Sequence, residues 1–155
     1  MARARPTAHR RQGGTATVEM AIMLPVLMLM LLAVAEFGRM ISQYDTLTKA
    51  VRDGARYAAS VSALGSTGLV SITSTIQTDV ANLVVTGDIG GTGTPLLPGL
   101  TDSDVTVTDA GNGYVSVTAT YTYEPMLGPS LPTFGLGPSV PLDVPLTATT
   151  VMRAL

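Results

Sequence analysis

The feature that most constrains this chain is a run without charge. Residues 20–35 read MAIMLPVLMLMLLAVA. Sixteen such residues make about 24 Å of helix at 1.5 Å per residue. A bilayer core of about 30 Å asks for around 20 residues. A helix begun at Thr15 supplies the missing turn and brings Glu19 into or near the apolar layer. A carboxylate at the centre of a span costs about 2.5–3.5 kcal/mol, and less near an interface. Glu19 therefore needs a partner or a function.

The rest of the composition agrees with a split between lipid and water. The chain is 46% hydrophobic and only 13% charged, whereas soluble domains carry about 25% charged residues. With 155 residues a very large core is out of reach, so part of the chain belongs in lipid. The charges are sorted by sign. Arg3, Arg5, Arg10 and Arg11 precede the apolar run, and beyond Tyr57 the only basic side chain is Arg153. The same distal stretch holds Asp79, Asp88, Asp102, Asp104, Asp109, Glu124 and Asp143. A basic leader, an apolar span and an acidic remainder follow the positive-inside rule. The N-terminus is expected in the cytoplasm and the remainder outside it. The competing reading, a basic arm for nucleic acid, is set aside because the arm adjoins a membrane-grade segment, and no nucleic-acid partner is expected.

Three readings of the apolar run compete. One is an ordinary single-pass anchor with an incidental Glu19. Another is a secretory signal peptide, with Ala33-Val34-Ala35 as an A-x-A cleavage site. The third is a pilin-type leader, cut ahead of the apolar run. Glu19 at the junction and the helical pattern beyond Ala35 count against the signal peptide.

The segment Gly13-Gly14-Thr15-Ala16-Thr17-Val18-Glu19 puts a glutamate five positions after a glycine, between a short basic leader and an apolar helix. This resembles the prepilin peptidase site of type IV pilin-like proteins. The wider stretch, GGTATVEMAIMLPVLMLMLLAVAEFGRM followed by AVRDGARYAA, resembles the TadE-like family, pseudopilins of the Tad (tight adherence, or Flp) pilus system. The likeness rests on Pro25, on the Glu36-Phe37-Gly38-Arg39 exit and on the Arg52-to-Ala59 run with Gly54, Ala55 and Arg56. It covers residues 13–60 well. Met20 departs from it, since relatives often carry an aromatic residue after the glutamate. The resemblance implies cleavage between Gly14 and Thr15. It also implies pairing of Glu19 with a newly freed α-amine, on its own chain or a neighbour's, during assembly. The partners it implies are a prepilin-type peptidase, other pseudopilins, assembly-platform proteins and the lipid bilayer of a bacterial inner membrane. Elementary chemistry is consistent with this. Glycine opens the scissile backbone, and a carboxylate near a helix N-terminus meets unpaired N–H groups and a positive dipole end. Pro25, lacking its N–H, is expected to kink the span.

Past the span the pattern is amphipathic. Phe37, Ile41, Tyr44, Leu47, Val51, Ala55 and Ala58 recur at spacings of three and four. Glu36 with Arg39, Asp45 with Lys49 and Asp53 with Arg56 lie at helix-neighbour spacings. One helix is predicted from about Thr15 to about Ser60. Ala50, Gly54, Ala55, Ala58 and Ala59 offer a small-residue surface for close packing on the chain's own domain or on another subunit. Residues 60–68 read as a hinge. Leu69, Ile72, Ile76, Val80 and Leu83 predict a second, shorter helix, and the Gly- and Pro-rich residues 86–100 read as a loop. Alternating residues flank Gly111-Asn112-Gly113, which predicts a hairpin. A proline-rich loop over 124–141 leads to a last strand with Val144, Leu146, Ala148 and Met152 in period two.

The predicted fold class is α+β and membrane-anchored: a long N-terminal helix, a short second helix and a small antiparallel sheet. The predicted organisation is a leader at 1–14, a transmembrane helix at 15–38, an extracytoplasmic helix extension at 39–62 and a small α+β domain at 63–155. Catalysis is not expected. The only histidine is His9, cysteine is absent and Lys49 is the single lysine, while most acid–base and nucleophilic machinery needs one of these. Asp102, Asp104 and Asp109 miss the EF-hand spacing and read as turn and strand-edge acids, so no metal and no cofactor is expected. The resulting expectation is a pseudopilin acting in Tad-type pilus assembly through protein contacts. The alternatives are a secreted binding domain released after Ala35 and a generic membrane-anchored structural protein.

Overall fold

The computed structural model describes residues 13–64, 69–126, 128–131, 133, 135 and 137–155. Helix α1 runs unbroken over Gly13–Val61 with Pro25 inside it. At 49 residues it is about 73 Å long. The predicted single helix is therefore present. Most of the predicted leader lies outside the described residues.

Helix α2 spans Ser74–Thr86. It starts later than the apolar spacing suggested. Thr73 has extended backbone and its side chain accepts from the Ile76 N–H at 3.3 Å, so an N-cap sets the boundary. Leu69 and Ile72 precede the helix instead of extending it, and Leu69 is exposed. Gly87, at φ 77°, closes the other end by donating to the Leu83 carbonyl, the left-handed termination that glycine allows.

Strands β1 (Val105–Gly111), β2 (Tyr114–Thr122) and β5 (Pro145–Arg153) form an antiparallel sheet with β2 in the centre. Asn112 and Gly113 turn β1 into β2 with φ of 53° and 78°. Two positive values in a two-residue loop explain the Asn-Gly pair. Alternation in β2 is strict. Val115, Val117, Ala119 and Tyr121 are buried, while Thr118 and Thr120 face away and meet Thr149 and Thr147 of β5. Val144, expected in the last strand, stands just ahead of β5 and is exposed. The proline-rich stretch, expected as loop throughout, contains a short hairpin, β3 (Ser130–Leu131) paired with β4 (Val140–Pro141).

The core lies between the second half of α1, α2 and the inner face of the sheet. Leu47, Val51, Ala55 and Ala58 of α1 join Val80, Val84, Val115, Val117 and Ala119 there. Leu97 and Leu100 from the loop after α2 complete it. The C-terminus is tied back, with the Leu155 N–H donating to the Ala59 carbonyl at 3.0 Å.

Candidate membrane anchor and its junction with the folded domain

Every candidate residue lies on α1, and the helix divides into three stretches. In the first, residues 14–35, the side chains are mostly apolar and almost all exposed. Val18, Ile22, Leu24, Leu27, Leu31 and Val34 are among them. The most apolar window of this helix is wholly unburied and passes the length and hydropathy requirements of a membrane span. Folded soluble domains do not leave so large a contiguous apolar surface in water. Gly14 has open space around its Cα, and nothing would meet an added Cβ. Thr15 and Glu19 are also exposed. Glu19 borders a shallow apolar groove with Ala16, Met20 and Met23. Pro25 is half-buried inside a continuous helix.

The third stretch, residues 47–59, is the reverse. Ala50, Gly54, Ala55, Ala58 and Ala59 point inward, and Arg52, Asp53 and Arg56 point outward. A Cβ placed on Gly54 would stand 2.6 Å from Val84 Cγ2 and 3.3 Å from Val80 Cγ1. Glycine is needed there because α2 crosses against the backbone of α1. Tyr57 reinforces the crossing by donating its hydroxyl to Asp79 Oδ2 at 2.9 Å. The small-residue surface therefore packs on the chain's own domain. Arg56 pairs with Asp53 at 3.6 Å and Lys49 with Asp45 at 2.7 Å. Both pairs are exposed, and such pairs contribute about 0–1 kcal/mol.

Between these stretches lies the junction, and here the structure departs from the expected stripe. Phe37 is 64% exposed and Ile41 66%, with Tyr44 also exposed. The inward face carries Glu36, Gln43 and, half-buried, Arg39 and Met40. Glu36 is 3% exposed. Its carboxylate accepts from the Tyr123 hydroxyl through Oε2 and from the Met126 backbone N–H through Oε1 at 3.0 Å. The end of β2 and the start of the following loop thus clamp the helix just where the apolar run ends. Burial first, and then the hydrogen bond and charge of Glu36, push the Tyr123 hydroxyl up from the usual 10 to about 12. Arg39 acts weakly in the opposite direction. A neutral phenol donating to a carboxylate is a charge-assisted hydrogen bond, stronger than a neutral one.

A family model for TadE-like proteins matches residues 14–56. The chain carries a TadE-like N-terminal segment. No curated protein and no solved structure matches the chain. The TadE-like segment covers the exposed apolar stretch, the Glu36 junction and most of the inward-packing run. It associates the protein with the Tad pilus system and with other proteins of that system.

Sequence reasoning placed Glu36 and Arg39 in the TadE-like motif and assigned them to each other along the helix. It did not find Tyr123 or the Met126 N–H as partners of Glu36. The alternation that points Val115 through Tyr121 inward does continue to Tyr123, which is buried as well. That parity was the available signal. Asp104 and Asp109 have local tasks. Asp104 Oδ2 accepts from the Thr101 N–H at 2.8 Å, and Asp109 Oδ1 from the Gly111 N–H at 2.7 Å. They cap a 3₁₀ turn and the irregular end of β1.

Proposed function

We propose that the protein is a membrane-anchored pseudopilin that helps to assemble a Tad-type pilus, acting through protein contacts rather than catalysis. The observation that carries this reading is the division of the TadE-like segment. Its first part is an exposed apolar helix beginning at a glycine, and its second part builds the domain core. In this reading the N-terminus lies in the cytoplasm and the domain outside the inner membrane. A prepilin-type peptidase cuts between Gly14 and Thr15, where the backbone is unobstructed. Glu19 then pairs with a new α-amine, one helical turn away, which lowers the cost of holding its charge at the edge of the apolar layer. Pro25 loosens the span between this pair and the domain.

The test joins processing to assembly. Mass measurement of the membrane-fraction protein is expected to give a chain that begins at Thr15. A chain beginning at Glu36 would instead mean release by signal peptidase, and an intact chain would mean an ordinary anchor. Glu19→Gln keeps the shape and removes the charge. It is expected to leave membrane insertion intact, because the neutral residue is easier to bury, and to reduce surface pili. Normal piliation by that variant would make Glu19 incidental.

A further inference from the structure

The hairpin of β3 and β4 lies against α1 at the level where the apolar run ends. Between them is a largely apolar groove of about 350 Å³, lined by Ala33, Phe37 and Met40 of the helix, by part of Glu36, and by Leu131, Val140 and Val144 of the loop. Ala33 belongs to the apolar run itself, and Met40 stands about 10 Å further along the helix axis. The groove is therefore continuous with the membrane-spanning surface, not part of the domain core.

Three observations on the loop point the same way. From residue 125 to residue 152 the only ionisable side chain is Asp143. Met126 is 75% exposed and Val140 51% exposed, so the loop turns apolar side chains outward beside the span. The one carboxylate at this level on the helix, Glu36, is turned inward onto Tyr123 and Met126 instead of outward. A charge at a lipid boundary is costly, and although Glu36 borders the groove, the fold buries it and bonds both of its carboxylate oxygens. The uncharged run of α1 is also several ångströms shorter than a bilayer core, which leaves room for the turn bearing Phe37 and for the adjoining groove in the apolar layer.

We propose that the loop over residues 125–144, with its β3–β4 hairpin, is a membrane-docking foot. It seats the exported domain on the surface of the bilayer it is anchored in, with lipid chains covering Met126, Val140 and the groove. This rests on the membrane-span reading of α1. Glu36 serves as the positioning residue, because its bonds to Tyr123 and the Met126 N–H hold the foot at a set height on the helix.

The absence of cysteine makes the test direct. Single-cysteine variants of the full chain, Leu27→Cys, Val140→Cys, Met126→Cys and Tyr114→Cys, are labelled with an environment-sensitive fluorophore. They are then reconstituted into phosphatidylcholine–phosphatidylglycerol vesicles. Position 114 is the distal control. It neighbours the Gly113 carbonyl that receives the Ala154 N–H beside the docked Leu155, level with Ala59 and about 35 Å along α1 from Glu36. Nitroxide-bearing lipids are expected to quench the probes at 27, 126 and 140, with blue-shifted emission, and to leave the probe at 114 at its lipid-free level. If the probe at 27 is quenched while those at 126 and 140 match 114, the foot is wrong and the span stands. If the probe at 27 is also unquenched, the span reading itself fails. Shielding at 140 from aqueous iodide without quenching by lipid would mean that a second protein chain fills the groove, and would overturn the proposal.

Discussion

The two ends of α1 solve opposite problems with opposite residues. Residues 20–35 are mostly large and apolar, Met, Leu, Val and Ile, yet most of them are exposed. The inward-facing residues of 50–59 are mostly small, Ala and Gly, yet they form the interior. High hydropathy here marks the exposed surface of the candidate membrane span, and modest hydropathy marks the core. The reason is distance. Lipid conforms to bulky side chains, whereas a helix crossing as close as α2 over Gly54 leaves no room for them. The junction between the two ends is held by neither device. It relies on one buried carboxylate and two donors.

This contrast can be broken at three places. The largest effect is expected from Gly54→Val. Its added methyls have no space before Val84 and Val80, and overpacking of this kind costs about 3 kcal/mol. Denaturant unfolding in detergent is expected to show the folded domain strongly destabilised while the apolar half of α1 still partitions into membranes. A wild-type midpoint would refute the close crossing.

Tyr123→Phe comes next. It leaves Glu36 with the Met126 N–H and without the hydroxyl. A buried acceptor deprived of one donor costs about 1–2 kcal/mol. The pH dependence supplies a second readout. The Tyr123 hydroxyl is held above its ordinary value of 10, at about 12, by burial and by Glu36. A pKa raised on folding stabilises the protonated form. Its contribution is therefore complete below pH 10 and disappears as the pH climbs through about 12. Wild-type stability is expected to fall over that interval, and the Tyr123→Phe variant to fall less. Parallel alkaline profiles for the two proteins would remove Tyr123 from the junction.

The smallest effect is expected from Leu27→Ala. In a core, such a truncation costs about 2–5 kcal/mol. At this exposed position the domain's unfolding midpoint in micelles should stay within about 0.5 kcal/mol of wild type. A core-like loss would mean that the span packs on the domain after all.

Much of the architecture is legible from local pattern. The apolar run, the continuous helix, the Asn112-Gly113 turn and the alternation of β2 each depend on neighbours within a few residues, where helical and strand periods are decisive. The TadE-like motif was legible for the same reason, being a contiguous segment. The packing role of Gly54 was half visible, as a small residue among alanines. Its partner on α2 was not.

What only the tertiary structure decided is the rotation of α1 where the apolar run ends. Phe37, Ile41 and Tyr44 and the set Glu36, Arg39 and Gln43 both recur at helical spacing, so periodicity alone favoured the apolar set for the interior. The folded chain turns the polar set inward because Tyr123, 87 residues away, offers Glu36 a hydroxyl, and the Met126 N–H completes the site. A carboxylate with donors supplied can be buried. The hairpin of β3 and β4 escaped for a related reason. Two residues per strand carry no readable period, and their place is set by the helix they rest against. The sequence by itself marked the long helix, its apolar run and the turn between the first two strands. Which face of the long helix turns inward depended on donors that the chain supplies only once it has folded back.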